Sequence, residues 1–85
     1  MKYMKRTYIT DENRMYLPDE NGKVLAEIVF EKVDENTYDI KHTFVDDSLR
    51  GQGIGSELVE KATTYLAEKW YKVTATCPYA KKSIK

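Results

Sequence analysis

The run Arg50-Gly51-Gln52-Gly53-Ile54-Gly55-Ser56 is where this chain of 85 residues concentrates its chemistry, with three of its four glycines inside five residues and an arginine in front of them. Glycine lets a backbone approach a ligand closely and turn through left-handed conformations. The run follows an alternating, β-branched segment ending at Val45 and opens an amphipathic one, so it reads as a strand-to-helix loop. In that setting the unpaired N–H groups of the first helical turn carry about half a positive elementary charge toward an anion. Arg50 at the mouth can grip phosphate oxygens with two prongs, and Ser56 offers a hydroxyl. The GxGxG spacing fits neither GxxxxGK[ST] nor GxGxxG, which argues against a P-loop or a dinucleotide fold. The residues alone leave two readings open: a phosphate cradle, or a tight turn in which the glycines serve only the path of the chain.

Two further residues could react. His42 lies on the strand before the loop, and Cys77 ends the segment "YKVTATC" after the helix. Parallel strands joined by one helix are often neighbours, so the two side chains can meet. A thiol beside an imidazole becomes a thiolate nucleophile; His42 alone could serve as general base for an incoming amine. Each also has a plain structural reading, as a hydrogen-bonded strand histidine and as a small buried hydrophobe. Pairs of acids at Asp11–Glu12, Asp19–Glu20, Asp34–Glu35 and Asp46–Asp47 fall where turns are expected and read as solvated turns rather than a metal site.

The elements that must position these groups are legible from periodicity. "KRTYITDENRMYL" gives two short strands joined near Asp11–Asn13, and Asn21-Gly22 is a hairpin signal. Val24, Ala26, Ile28 and Phe30 alternate with Leu25, Glu27, Val29 and Glu31. "TYDIKHTFV" continues the period of two, placing Tyr38, Ile40, His42 and Phe44 on one face and Asp39, Lys41, Thr43 and Val45 on the other. From Gly53 to Lys69 the period becomes helical, with Ile54, Leu58, Ala62, Tyr65 and Leu66 in one stripe and Val59 beside them. Trp70 caps the helix–strand junction, and a last strand follows. Strand, helix, strand in this order is a right-handed crossover between parallel strands. The expected fold class is α+β, a mixed and mainly antiparallel sheet with a C-terminal βαβ unit.

Composition narrows the function. Fourteen basic and fourteen acidic residues give a formal net charge of zero, which argues against a general nucleic-acid binder. One cysteine excludes an internal disulfide and a multi-thiolate metal site. No apolar run reaches the roughly 20 residues of a membrane span, and no secretory leader is visible, so a cytoplasmic location is expected. The length suits a single domain over residues 1–85.

"VDDSLRGQGIGSELVEKA" resembles the cofactor motif of the GNAT superfamily of acetyl-CoA-dependent N-acetyltransferases, which reads Gln/Arg-x-x-Gly-x-Gly/Ala between a strand and a helix. Arg50, Gly53 and Gly55 take its fixed positions, and Gly51, Gln52, Ile54 and Ser56 its intervening and following amides. The resemblance implies a minimal GNAT-like fold in which these amides cradle the pyrophosphate of coenzyme A, while Phe44 and Val45 lend main-chain groups to the pantetheine arm. From "VLAEIVF" to "ATCPYAKK" the chain also resembles a subgroup of small single-domain members with "HT-V" before the loop and a Cys at the end of the last strand. That likeness favours a catalytic role for His42 and Cys77, and it leaves the acceptor unspecified, a protein amine or a small amine. The sequence departs from larger members where they carry Asn, then Ala, then a Tyr acid: here Cys77, Ala80 and Ile84 stand at those positions. No segment matches their N-terminal helical section. The alternative implied by these departures is a CoA sensor or interaction module without turnover.

Overall fold

The computed structural model describes residues 7–76. Five strands form one sheet in sequence order: β1 (Ile9–Thr10), β2 (Arg14–Pro18), β3 (Val24–Asp34), β4 (Thr37–Val45) and β5 (Lys72–Ala75). The first four pair antiparallel, and β5 runs parallel to β4. A short 3-10 turn, Asp47–Leu49, and helix α1, Ile54–Glu68, connect β4 to β5. This is the mixed sheet with a terminal βαβ unit that the periodicity predicts.

Turn chemistry explains the meander. Gly22 has φ +86 in the β2–β3 hairpin, a conformation that costs glycine nothing. Asp19 organises the same turn by accepting the N–H groups of Asn21 (2.8 Å) and Lys23 (2.9 Å) on its Oδ1. Asp34 accepts the Asn36 N–H at 2.8 Å in the next turn, and Asp46 does the same for Ser48 at 3.0 Å. Three of the acidic pairs therefore supply turn-making side chains.

The core lies between one sheet face and α1. Ala26, Ile28 and Phe30 of β3, Ile40 of β4, and Ile54, Leu58, Val59, Ala62 and Leu66 of the helix are buried. Tyr8, Tyr38, Tyr65 and Tyr71 pack against this core from its edges, with the Tyr38 ring 4.7 Å from Tyr71 and edge-on to it. Trp70 occupies the left-handed region (φ +71) just past the helix, its N–H on the Ala67 carbonyl at 2.9 Å, with 91% of its surface exposed. It does close the helix, as the sequence suggests, but through its backbone alone.

One expectation fails, on β4. Val29 pairs with His42, whereas Phe30 pairs with Ile40, so β4 carries one extra residue, a β-bulge at Lys41. The period of two resets there. Before the bulge, Ile40 faces the core. After it, Thr43 and Val45 do, opposite Ile28 and Ala26. His42 and Phe44 pair with Val29 and Glu27 and are turned to the other sheet face, away from α1. The single-face grouping of Tyr38, Ile40, His42 and Phe44 is thus corrected, since an inserted residue inverts every side chain after it. Among the described residues, no helix is long and apolar enough to cross a membrane.

Candidate functional site

The site is built at the end of β4. The Asp46 N–H bonds to the Leu25 carbonyl at 2.7 Å, and its Oδ2 accepts both the backbone N–H (3.0 Å) and the hydroxyl (2.6 Å) of Ser48. These two bonds hold the Asp46 carboxyl below the usual carboxylate range and fix the 3-10 turn. Arg50 ends that turn, with its N–H on the Asp47 carbonyl at 3.2 Å and its Nε 3.0 Å from the Asp47 carboxylate. Gly51 (φ +86) and Gly53 (φ +74) then swing the chain into the helix. A Cβ added at either would meet nothing within 4 Å. These glycines therefore answer to backbone conformation and leave the surface in front of them open.

Gly53 is the N-cap of α1, and no side chain caps the helix. The first helical hydrogen bond runs from the Glu57 N–H to the Gly53 carbonyl at 3.0 Å. The N–H groups of Ile54, Gly55 and Ser56 precede it, in the turn where a helix has no acceptors of its own. They stand at the positive end of a helix of 15 residues.

A cleft of about 290 Å³ lies between this turn and β4, lined by Thr43, Val45, Leu49, Arg50, Gly51, Gly53, Ile54 and Gly55. Six of the nine residues that the sequence assigns to cofactor binding thus line one concavity. Phe44 does not, because the bulge turns its side chain to the opposite face, where it is 39% exposed. Gln52 faces a separate hollow of about 740 Å³ with Leu17, Leu25 and Leu49, and Ser56 is exposed on the first helical turn. Thr43 and Leu49 join the cleft without having been singled out. Thr43 carried a signal, since the strand alternation counted back from Val45 puts it on the same face.

The β4–β5 pairing spans Thr37–Ile40 against Lys72–Ala75, and the Thr76 N–H donates to the Ile40 carbonyl at 3.0 Å. His42 stands two residues past Ile40 on the outer face, exposed, in a row with Val29 and Arg14. Cys77 lies outside the described residues, so the structure does not place it against His42.

A family model for GCN5-related N-acetyl-transferases matches residues 14–85. The chain is 37% identical over 60 residues to Protein NATD1 of Xenopus tropicalis, covering 71% of this chain and 55% of that protein. It therefore spans about half the length of that curated relative. Among solved structures, an NMR structure of a GCN5-like protein from Staphylococcus aureus is 37% identical with a TM-score of 0.74, covering 89% of this chain and 74% of that one. The GNAT-family N-acetyltransferase YhbS of Escherichia coli, solved in complex with CoA, is 25% identical with a TM-score of 0.60, covering 68% of this chain and 35% of that one.

Proposed function

The chain belongs to the GCN5-related N-acetyltransferase family, and from that premise we propose that it binds acetyl-CoA in the cleft at the end of β4 and transfers the acetyl group to an amine. One observation carries the reading: an uncapped helix N-terminus, reached through two left-handed glycines and flanked by Arg50, opens into a cleft walled by the end of β4. The residues fit a pyrophosphate. Three N–H groups point from the positive end of α1, no Cβ obstructs the two turning glycines, and a guanidinium stands at the rim.

Arg50 is 70% exposed and ion-paired with the exposed Asp47, a partner it can leave at small cost. Thr43 and Val45 form a wall of the cleft that would hold the cofactor's arm. Acetyl-CoA, when bound, supplies an activated acetyl thioester. His42, exposed on the outer face of β4, is assigned the proton from the incoming amine. The thiol of Cys77 is assigned the acetyl first: its thiolate would take the acetyl as the acetyl–sulfur bond of the thioester breaks and CoA leaves as its thiol, and the amine would then take the acetyl and restore the Cys77 thiol. The acceptor, a protein amine or a small amine, enters over the face that carries His42, Arg14 and Phe44.

Calorimetric titration with acetyl-CoA and with free CoA tests the binding. No heat at high micromolar cofactor would end this reading, and Arg50→Glu, which sets a carboxylate beside the pyrophosphate, is expected to weaken affinity sharply. Intact-mass measurement after incubation with acetyl-CoA tests the thiol; an adduct that persists in Cys77→Ser would remove Cys77 from it. Binding without transfer to any amine in a broad screen would turn the protein into a cofactor-binding module.

A further inference from the structure

Helix α1 ends in a turn that glycine normally makes. The Trp70 N–H donates to the Ala67 carbonyl at 2.9 Å and the Tyr71 N–H to the Leu66 carbonyl at 3.1 Å, the paired bonds that close a helix through one left-handed residue. That residue is Trp70, at φ +71. A side chain there is strained, and packing within its own chain does not offset the strain, since 91% of Trp70 is exposed. Backbone strain that nothing inside the fold compensates points to a use outside it.

A second irregularity lies at the same end of the molecule. Lys32 pairs with Tyr38 and Asp34 with Thr37, so Val33 has no opposite residue on β4. This bulge leaves Val33 50% exposed. Val33 and Trp70 are the two most exposed large apolar residues among those described. The elements that carry them are tied together. The Lys72 N–H donates to the Asn36 carbonyl at 2.7 Å, the Tyr38 and Tyr71 rings meet edge-on, and the Lys32 ammonium lies 5.4 Å from the centre of the Tyr71 ring. The cofactor cleft is at the other end of β4, around Thr43 and Val45.

Charge says what can cover this end. Lys69 and Lys72 stand on the α1–β5 junction, and Asp34 and Glu35 on the β3–β4 turn beside it. Lys32 and Glu68 add one charge of each sign, so three exposed cations meet three exposed anions, a balance that favours neither an acidic nor a basic partner. None of the six sits within ion-pair distance of an opposite charge among the described residues. A two-fold axis that sets the junction of one copy on the turn of another brings lysines onto acids twice, with Trp70 between them. That is the self-complementarity an isologous contact needs, and Trp is enriched among the side chains that dominate such contacts.

We propose that this end of the domain, anchored on Trp70, pairs two copies of the chain about a two-fold axis and leaves both cofactor clefts open. The pairing is independent of what the cleft binds. One anchor with a small charged rim makes a weak, transient contact rather than an obligate dimer.

The chain has one tryptophan, so its fluorescence reads the contact directly. Sedimentation velocity on the full chain from about 10 μM to about 1 mM, the range of weak association, should show the mass rising from one chain toward two. Acrylamide quenching of Trp70 should weaken over the same range. Trp70→Gly suits the left-handed turn, keeps the fold, and should weaken self-association about 30-fold or more, the scale of an interface hot spot. Glu35→Lys should weaken it as well, and Glu35→Lys/Lys69→Glu should recover it, because exchanging the two signs restores opposite charges across the axis. A wild-type chain that stays monomeric to about 1 mM would overturn the proposal and give the Trp70 end to a different protein. Dimers that persist in Trp70→Gly, or that form without shielding Trp70 from acrylamide, would place the interface elsewhere and overturn it too.

Discussion

Gly53→Ala offers the most direct test of the loop, because Gly53 combines a left-handed φ of +74 with empty space around its missing Cβ. Steric overlap with neighbours therefore contributes nothing, and the cost is the conformational one, about 1–2 kcal/mol for a residue with a Cβ. That strain has two outlets. If the loop keeps its shape, stability falls by the full amount, or about 4–8 °C in melting temperature for each kcal/mol in a domain of this size. If the loop relaxes, stability falls less, and acetyl-CoA must restore the native turn on binding. Affinity then drops by up to about 5- to 30-fold, the same energy expressed as a population. The two losses together should sum to the strain. Gly22→Ala is the matched control: φ is +86, the space is equally empty, and the hairpin is remote from the cleft, so its whole cost should appear in stability. Asn tolerates the left-handed region better, so Gly53→Asn should fall between wild type and Ala. Thermal melts by circular dichroism and calorimetric titration measure both quantities. Equal affinity losses in the Gly22 and Gly53 variants would refute the argument, as would a Gly53→Ala protein with wild-type stability and affinity.

Four further outcomes are expected. Asp47→Asn should raise acetyl-CoA affinity by about 1.4- to 5-fold in calorimetry, the scale of an exposed ion pair that no longer competes for Arg50; a weaker affinity would count against Arg50 as the anion ligand. His42→Ala should leave that affinity within about twofold, since His42 faces away from the cleft lining, an effect inside the ordinary range for a surface change, while lowering acetyl transfer. Trp70→Gly should stabilise the domain by about 1 kcal/mol in a circular-dichroism melt, because it relieves a left-handed side chain that buries almost nothing; a lower melting temperature would show that Trp70 packs. Burial pushes the Asp39 carboxyl up, but the donors from Thr74, Thr76 and Lys41 outweigh it and hold its folded pKa below the unfolded value of 3.8, so its contribution to stability is complete above that value and lost as pH falls through the folded pKa. Urea midpoints below about pH 4 should thus fall less steeply in Asp39→Asn than in wild type.

Much of the architecture was legible because local signals agreed with the fold. Asn21-Gly22 marked the hairpin, the alternation of Ala26, Ile28 and Phe30 against Glu27 and Val29 marked the core face of β3, and Ile54, Leu58, Ala62 and Leu66 marked the buried stripe of α1. The glycine loop was legible for the same reason, since the change from a period of two to 3.6 brackets it. Asp39 was not, because a carboxylate on a strand reads as a solvent-facing residue; its burial depends on Thr74 and Thr76, 35 and 37 positions away. Nor was the bulge. In Asp39-Ile40-Lys41-His42-Thr43, a single apolar residue stands among polar ones, so alternation continues plausibly whether or not Lys41 is the extra residue.

That extra residue decides what the strand can do. In a regular β4, Ile40 and His42 would share the face packed on α1, and Thr43 and Val45 would look away from the helix. The uncapped turn at Ile54–Ser56 would then face His42 and Phe44 across the end of the strand. With the bulge, Thr43 and Val45 join Ile54 and Gly55 around one cleft, and His42 and Phe44 pass to the open face beside Val29 and Glu27. On the proposed function, the cofactor and the proton acceptor would then take opposite faces of one strand. One inserted residue in β4 is what separates the two faces.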